Sequence, residues 1–264
     1  MMLAGVDFTS RPTTRKPITV AIGERSPRGV TLRRLETHAS CEGWAQWLRT
    51  QGPWLGVFDL PFGLPRALVL ELGWPAQWLP LMRHFTSLSR EEVRQRLAAF
   101  CAARPAGAKL AHRATDRQAK ASSSMQWVNP PVALMLHAGM PYLLDAGLHL
   151  PGLCHGDPTR IALEGYPALA ARAVIGARSY KSDTAAKQTT QRHEARTALV
   201  DGLRGLELSP EHRAALINDA TGDLLDATLC LLQAGWASER ADWGMPPNVD
   251  PLEGWIVCAP QRGR

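Results

Sequence analysis

Three separated apolar segments each end in an acid: Leu3 to Asp7, Trp54 to Asp59, and Arg160 to Glu164. Short runs of this kind form buried strands, so each acid sits at a strand end. A later segment, Asp219 to Trp236, carries Asp219, Asp223 and Asp226 in otherwise apolar surroundings. On a helix their i, i+4 and i+7 spacing puts them on one face. An acid facing a core is costly unless something compensates it. Acids at the ends of neighbouring strands, with a helix crossing them, would converge on one point. Carboxylates about 4 Å apart repel by roughly 1–4 kcal/mol per pair. They must then keep protons or share a divalent cation. Oxygen donors without a His or Cys cluster select Mg²⁺ or Mn²⁺ over zinc. Two such ions about 4 Å apart would activate a water and stabilise the leaving oxygen of a phosphodiester. A lone Asp at a strand end is commonly a turn or cap residue. The joint occurrence of Asp7, Asp59 and the Asp223/Asp226 pair points instead to a shared site. Asp219 reads as a helix cap. Glu164 stays open between a ligand and the partner of an Arg.

The positioning elements follow from pattern. Leu3–Asp7, Ile18–Ile22 and Val30–Leu35 predict a three-stranded antiparallel meander, with Ser26-Pro27-Arg28-Gly29 as a turn. Ser40 caps a short helix bearing Trp44, Trp47 and Leu48, more a core face than a stacking platform for bases. Trp54–Asp59 lacks alternation and is expected to be covered on both faces. Residues 66–155 read as an insertion of helices and loops, in which Ser89-x-x-Glu92 is a capping box. Arg160–Glu164 is the fifth strand, and helices are expected over about 184–203, from Ser209-Pro210-Glu211, and over 219–236. The chain is thus read as one α/β domain over 1–237, with a Pro- and Trp-rich tail over 238–264 packed on it. That tail holds a candidate edge strand at Gly254–Cys258.

The 264 residues carry 30 Lys+Arg against 24 Asp+Glu, and 45% are hydrophobic, an ordinary globular composition. Five dispersed cysteines form no CxxC pair, which argues against a zinc site or a disulfide framework. No basic region precedes a long apolar run, and the most apolar stretch is interrupted by polar residues and proline. The expected setting is therefore soluble and cytoplasmic, with no membrane partner. From Arg83 to Lys120, nine Lys and Arg stand against three acids. Such a stretch suits a phosphate-rich partner, or simply a solvated helix face. Within it Arg113, Arg117 and Lys120 could clamp phosphates, or form ion pairs with neighbours such as Asp116. Cys154-His155-Gly156-Asp157 is too tightly spaced to chelate easily. No Gly-rich phosphate loop, GxSxG elbow or HExxH is present.

Gly5-Val6-Asp7, Phe58-Asp59-Leu60-Pro61-Phe62-Gly63-Leu64-Pro65, Leu163-Glu164-Gly165-Tyr166-Pro167 and Asp223-x-x-Asp226-Ala227 occur in this order. Together with Arg113-Ala114-Thr115-Asp116-Arg117, Tyr180-Lys181 and Arg196, they resemble the domain-of-unknown-function 429 family from Leu3 to about Ala234. That family consists of predicted nucleases of RNase H-like fold. The late helix also resembles the Asp-x-x-Asp-Ala of RuvC-type resolvases, whose acids complete a metal site. The resemblance implies a mixed sheet flanked by helices, with the insertion between the fourth and fifth strands. It implies Asp7 and Asp59 as strand ligands, and Asp223 and Asp226 as helix ligands, of Mg²⁺ or Mn²⁺. Glu164 would be a possible further acid at the rim, and Lys181 would join Arg113, Arg117 and Lys120 in binding phosphate. The expected activity is that of a metal-dependent hydrolase, a nuclease acting on DNA or RNA. A non-catalytic nucleic-acid- or partner-binding module on the same fold is the rival reading. A sugar-kinase-like or actin-like ATPase is disfavoured because its second phosphate loop and adenosine loop are missing.

Overall fold

A computed structural model of the chain describes residues 1–260. Strands β1 (Met2–Asp7), β2 (Ile18–Ser26) and β3 (Gly29–His38) form the antiparallel meander. Strand β4 (Trp54–Asp59) lies parallel to β1 on its other side. A two-residue β5 (Leu148–His149) ends the inserted segment, and β6 (Asp157–Glu164) pairs parallel with both β5 and β4. With β7 (Leu206–Glu207) against β3, the described residues form a seven-stranded mixed sheet in the order β5-β6-β4-β1-β2-β3-β7. The fold is α/β, with helices on both faces.

The insertion contributes α2 (Arg66–Glu71), α3 (Trp78–Ser87), α4 (Arg90–Ala102), α5 (Ala114–Ala119) and α6 (Val132–Asp145). It packs on one face of the sheet with α1 (Cys41–Leu48), against Val6, Phe8, Val20 and Phe58. Its capping box forms as the spacing predicts: Ser89 Oγ accepts from the Glu92 N–H and Glu92 accepts from the Ser89 N–H. Trp44 is fully buried and Trp47 nearly so. Both are core residues.

The other face carries α10 (Asp223–Ser238), packed on Leu3, Leu55, Val57 and Leu163. Outside α10 lie α7 (Pro167–Ile175), α8 (Thr190–Gly202) and α9 (Pro210–Asn218). The late helix is therefore covered nearly all round, which is why its sequence is apolar all round. It starts later than its periodicity predicts. Gly222 has φ of +79° and stops the helix at Asp223. Asp219 sits outside it as a cap, its Oδ2 accepting from the Leu224 N–H at 2.9 Å. Likewise α8 starts at Thr190, after an isolated turn at Ala185–Lys187, because Thr189 caps it. The tail does pack on the domain, but Gly254–Cys258 makes only a single bridge, Ile256 to Glu164, in place of the expected strand. Among the described residues no helix is long and apolar enough to cross a membrane.

Strand alternation fixes what each face receives. In β1, Leu3, Gly5 and Asp7 point toward α10, while Ala4 and Val6, and Phe8 just past the strand, point toward the insertion. Gly5 is where helix and sheet touch backbone to backbone. A Cβ built there would stand 2.1 Å from the Ala227 carbonyl oxygen and 2.1 Å from the Leu231 nitrogen. Neither is a flexible side-chain end, so the helix itself must lift. We predict that Gly5→Ala destabilises the protein by about 3 kcal/mol, read as a shift in the urea midpoint, toward the upper end of overpacking costs. A shift below about 1 kcal/mol would mean that α10 is free to move outward.

Candidate active site

The register of the sheet builds the site. Asp7 and Asp59 are direct partners across the parallel β1–β4 pair, so both side chains leave the sheet on the α10 side. Asp226 lies in the first turn of α10, one residue before the Ala227 that rests on Gly5. Carboxylate oxygens of Asp7, Asp59 and Asp226 come within 4.8 Å of one another. Asp226 is fully buried and Asp7 is 8% exposed. Three of the four expected ligands therefore converge.

The fourth, Asp223, stands aside. It lies one turn earlier on α10, outside the cluster, and its carboxylate faces Lys16 Nζ at 3.9 Å. Its charge is still felt by Asp7. Glu164 is also outside the cluster, for a reason written in the pleat. Its partner in β4 is Phe58, one residue short of Asp59, so its side chain leaves the opposite face. There it meets Arg113, which donates to both Glu164 oxygens at 2.5 and 2.7 Å. Gly165 takes the place beside Asp59, its N–H on the Phe58 carbonyl. Of the two roles open to Glu164, partner of an Arg is the one observed.

Arg113 is consequently no phosphate clamp. Its guanidinium is buried, and it also donates to Asp116 Oδ1 and to the Glu253 carbonyl. The two acids more than offset burial and hold it charged, above the ordinary arginine range. Glu253 in turn accepts from the Ala114 and Arg66 N–H groups, tying the tail to this network. Arg117 is exposed and borders a separate groove with Arg104 and His112. It is thus turned away from the carboxylates. Lys120 is exposed at the end of α5, next to Ala121 and Ser122, which line the cleft described below.

Lys181 does reach the site, but as an ion-pair partner of Asp226. Tyr180 donates its hydroxyl to the other Asp226 oxygen at 2.5 Å. Buried Arg196 fixes this segment by donating to the Tyr180 and Ile217 carbonyls at 2.8 and 2.7 Å. Burial opposes the Lys181 charge, yet Asp226, Tyr180 and Asp7 hold its pKa well above the ordinary lysine value. Sequence reasoning missed Tyr180 as an Asp226 partner and Lys16 as the cation beside Asp223. Neither sits in a spacing that announces it; only the tertiary fold closes gaps of 46 residues between Tyr180 and Asp226.

The carboxylates stay incompletely compensated. Burial, then the Asp226 charge, push Asp7 well above the usual carboxylate range, with Lys181 pulling the other way. The same causes raise Asp59 to about 7. A cleft of about 410 Å³ adjoins Asp59 and Asp226; Lys181, Arg178 and the Arg113–Glu164 pair also line it, with apolar residues of the insertion and of the α7 entrance. The arrangement is a buried acid trio, two members of which, Asp59 and Asp226, reach the lining of a ligand-sized cavity.

A family model described as a protein of unknown function, DUF429, matches residues 5–249. The chain belongs to that family. Comparison with curated proteins and with solved structures found no match.

Two stability experiments follow. An unfolded Asp titrates near 3.9, whereas folded Asp59 titrates at about 7. Its protonated form therefore supports the fold below about pH 4, and that support is lost as pH rises through 7. Asp59→Asn, which cannot ionise, should exceed the metal-free wild type by about 1–3 kcal/mol at pH 8 and match it near pH 4. Equal urea midpoints at pH 8 would contradict the crowding of charge. By contrast, Arg113→Met leaves Asp116 and Glu164 buried without a cation. It should cost about 3–5 kcal/mol, most of it recovered in a triple variant that adds Asp116→Asn and Glu164→Gln.

Proposed function

We propose that this protein is a metal-dependent phosphodiesterase, a nuclease of RNase H-like architecture, in which Asp7, Asp59 and Asp226 hold Mg²⁺ or Mn²⁺. The observation that carries the reading is the convergence of those carboxylates from two strands and a crossing helix, within 4.8 Å of one another. The antiparallel meander continued by parallel strands beyond β1 supports the architecture.

The donor set fits such an ion. It is all oxygen, as hard cations require, and no His or Cys belongs to it. Metal–oxygen bonds of 2.0–2.1 Å place the oxygens of one octahedron roughly 3–4 Å apart, so a small inward adjustment of these side chains suffices. The raised pKa values of Asp7 and Asp59 point the same way: burial, then the Asp226 charge, disfavour their ionised forms more than Lys181 favours them, and a bound cation would reverse that balance. When bound, the ion would supply an activated water and charge stabilisation for the leaving oxygen.

The chain's own groups define the remaining roles. The Tyr180 hydroxyl fixes Asp226 Oδ1 while Lys181 meets Oδ2, so the helix ligand is oriented in advance. Lys181 also brings a positive charge to the cleft where a phosphate would lie. Asp223, paired with Lys16, adds negative charge behind Asp7 without joining the trio. Arg113, Glu164 and Asp116 hold the β6 end and the tail in place from the other face.

Asp7→Asn should fold normally, bind Mn²⁺ at least ten-fold more weakly in calorimetry, and lose Mn²⁺-stimulated cleavage of bis(p-nitrophenyl) phosphate and of oligonucleotides. Wild-type cleavage by this variant would refute the assignment. Salt-sensitive nucleic-acid binding by the wild type, with no turnover in Mg²⁺ or Mn²⁺, would select the binding-module reading.

A further inference from the structure

Resting on the reading above, we infer that the cleft beside the acid trio receives one unpaired nucleotide unit, its phosphate toward Asp59 and Asp226 and its base against Val132 and Met135 of the insertion. Two features carry this. The first is size and surface. About 410 Å³ is the scale of a site that encloses a small ligand, and much of the lining, including Leu60, Val132, Met135 and Ile256, is apolar. A sugar–phosphate ridge has no use for an apolar wall, whereas the flat face of a base does. Val132 and Met135 sit three residues apart in α6, so they share one face of the helix; both are half-buried, and both line the cleft.

The second feature is charge placement. Gripping a duplex backbone takes a row of exposed Arg and Lys that neutralise successive phosphates. Among the described residues, the cations lining this cleft are Arg113, Arg178 and Lys181. Arg113 is locked between Asp116 and Glu164, and Arg117 borders a different groove. Lys181 is already paired with Asp226 and Arg178 is exposed; a set this small suits one phosphate and is too few for a strand pair. Ser122 and Ser179 add hydroxyls to the same lining, suited to the polar edge of a base.

The test is equilibrium binding of 5′-adenosine monophosphate and of ribose 5-phosphate, with and without Mn²⁺. These two probes share the phosphate and sugar and differ in the base. The nucleotide should bind about ten-fold tighter or more, and Met135→Trp, which fills the cleft while staying apolar, should abolish the difference. Val132→Arg provides a second obstruction should the first variant fold poorly. A single-stranded oligonucleotide that competes with the mononucleotide would place the site on strands, and failure to compete would place it on free nucleotides; either agrees with the inference. Equal binding of the two probes, a preference that survives both variants, or competition by a duplex as strong as by the single strand would overturn it. The outcome is separable from the metal reading. Base-dependent binding without Mn²⁺ uptake would retain this site and remove the proposed catalysis, whereas Mn²⁺-dependent cleavage without base preference would do the reverse.

Discussion

Every distance in the candidate site depends on how closely α10 lies against β1. A helix normally stands off a sheet by the thickness of two layers of side chains. Here one layer is missing at Gly5, and the carbonyl of Ala227 and the nitrogen of Leu231 occupy the space a Cβ would fill. A second close approach, at Gly235 against Val30, keeps the helix low further along the sheet. With the axis held there, Asp226 descends among the ends of β1 and β4, and its carboxylate meets those of Asp7 and Asp59. The apolar packing of Leu225 and Leu229 against the outer helices presses from the opposite side. The hydrophobic effect thus drives acids together that would repel one another if free.

Two clusters of acid lie close to each other, and the molecule treats them in opposite ways. On the insertion side, Glu164 and Asp116 are joined by the Arg113 fork, with backbone N–H groups of Phe62 and Arg113 adding further donors. That network is satisfied and structural, linking strand, insertion and tail. On the α10 side, the trio receives one ammonium and one hydroxyl, both at Asp226, while burial and the Asp226 charge raise the pKa values of Asp7 and Asp59. A fold that can assemble a complete buried ion-pair network on one face has left the other short of positive charge. Carboxylates perturbed by burial and by a charged neighbour, in a cleft, are candidates for a functional site.

The net positive charge of the chain contributes less to recognition than its sum implies. Many of the arginines are paired: Arg66 with Asp250, Arg104 with Glu71, Arg213 with Asp201, Arg25 with Glu239. Exposed pairs of this kind add little to stability, but they do set where positive potential remains. At the cleft Lys181 is paired with Asp226, and Arg178 is exposed at the rim. The insertion, which looks in sequence like a basic arm, presents an apolar wall to the site.

Much was legible in the residue order. The meander, the acid-terminated strands, the capping box of α4 and the helix start at Ser209-Pro210 follow from local rules of period, capping and turn chemistry, which operate over a few residues. Asp7, Asp59, Asp223 and Asp226 were identifiable as a group because acid-ended strands occur together with an acidic pair in an apolar helix. Asp223 could not be sorted from the other three, nor Glu164 assigned. Asp223 lies a turn below Asp226, and whether it reaches the cluster depends on the tilt of α10 and on Lys16, more than two hundred residues away. Glu164 faces away because β6 is paired one residue out of step with Asp59, and register is a property of two strands, not of either alone. Two of the partners of Arg113, Glu164 and Glu253, likewise lie at separations of 51 and 140 residues. Residue types and spacing thus determined which elements form and which groups carry charge. Only the packed structure decided which charges meet, because pairing across a sheet and the height of a helix above it are set by contacts that no local segment contains.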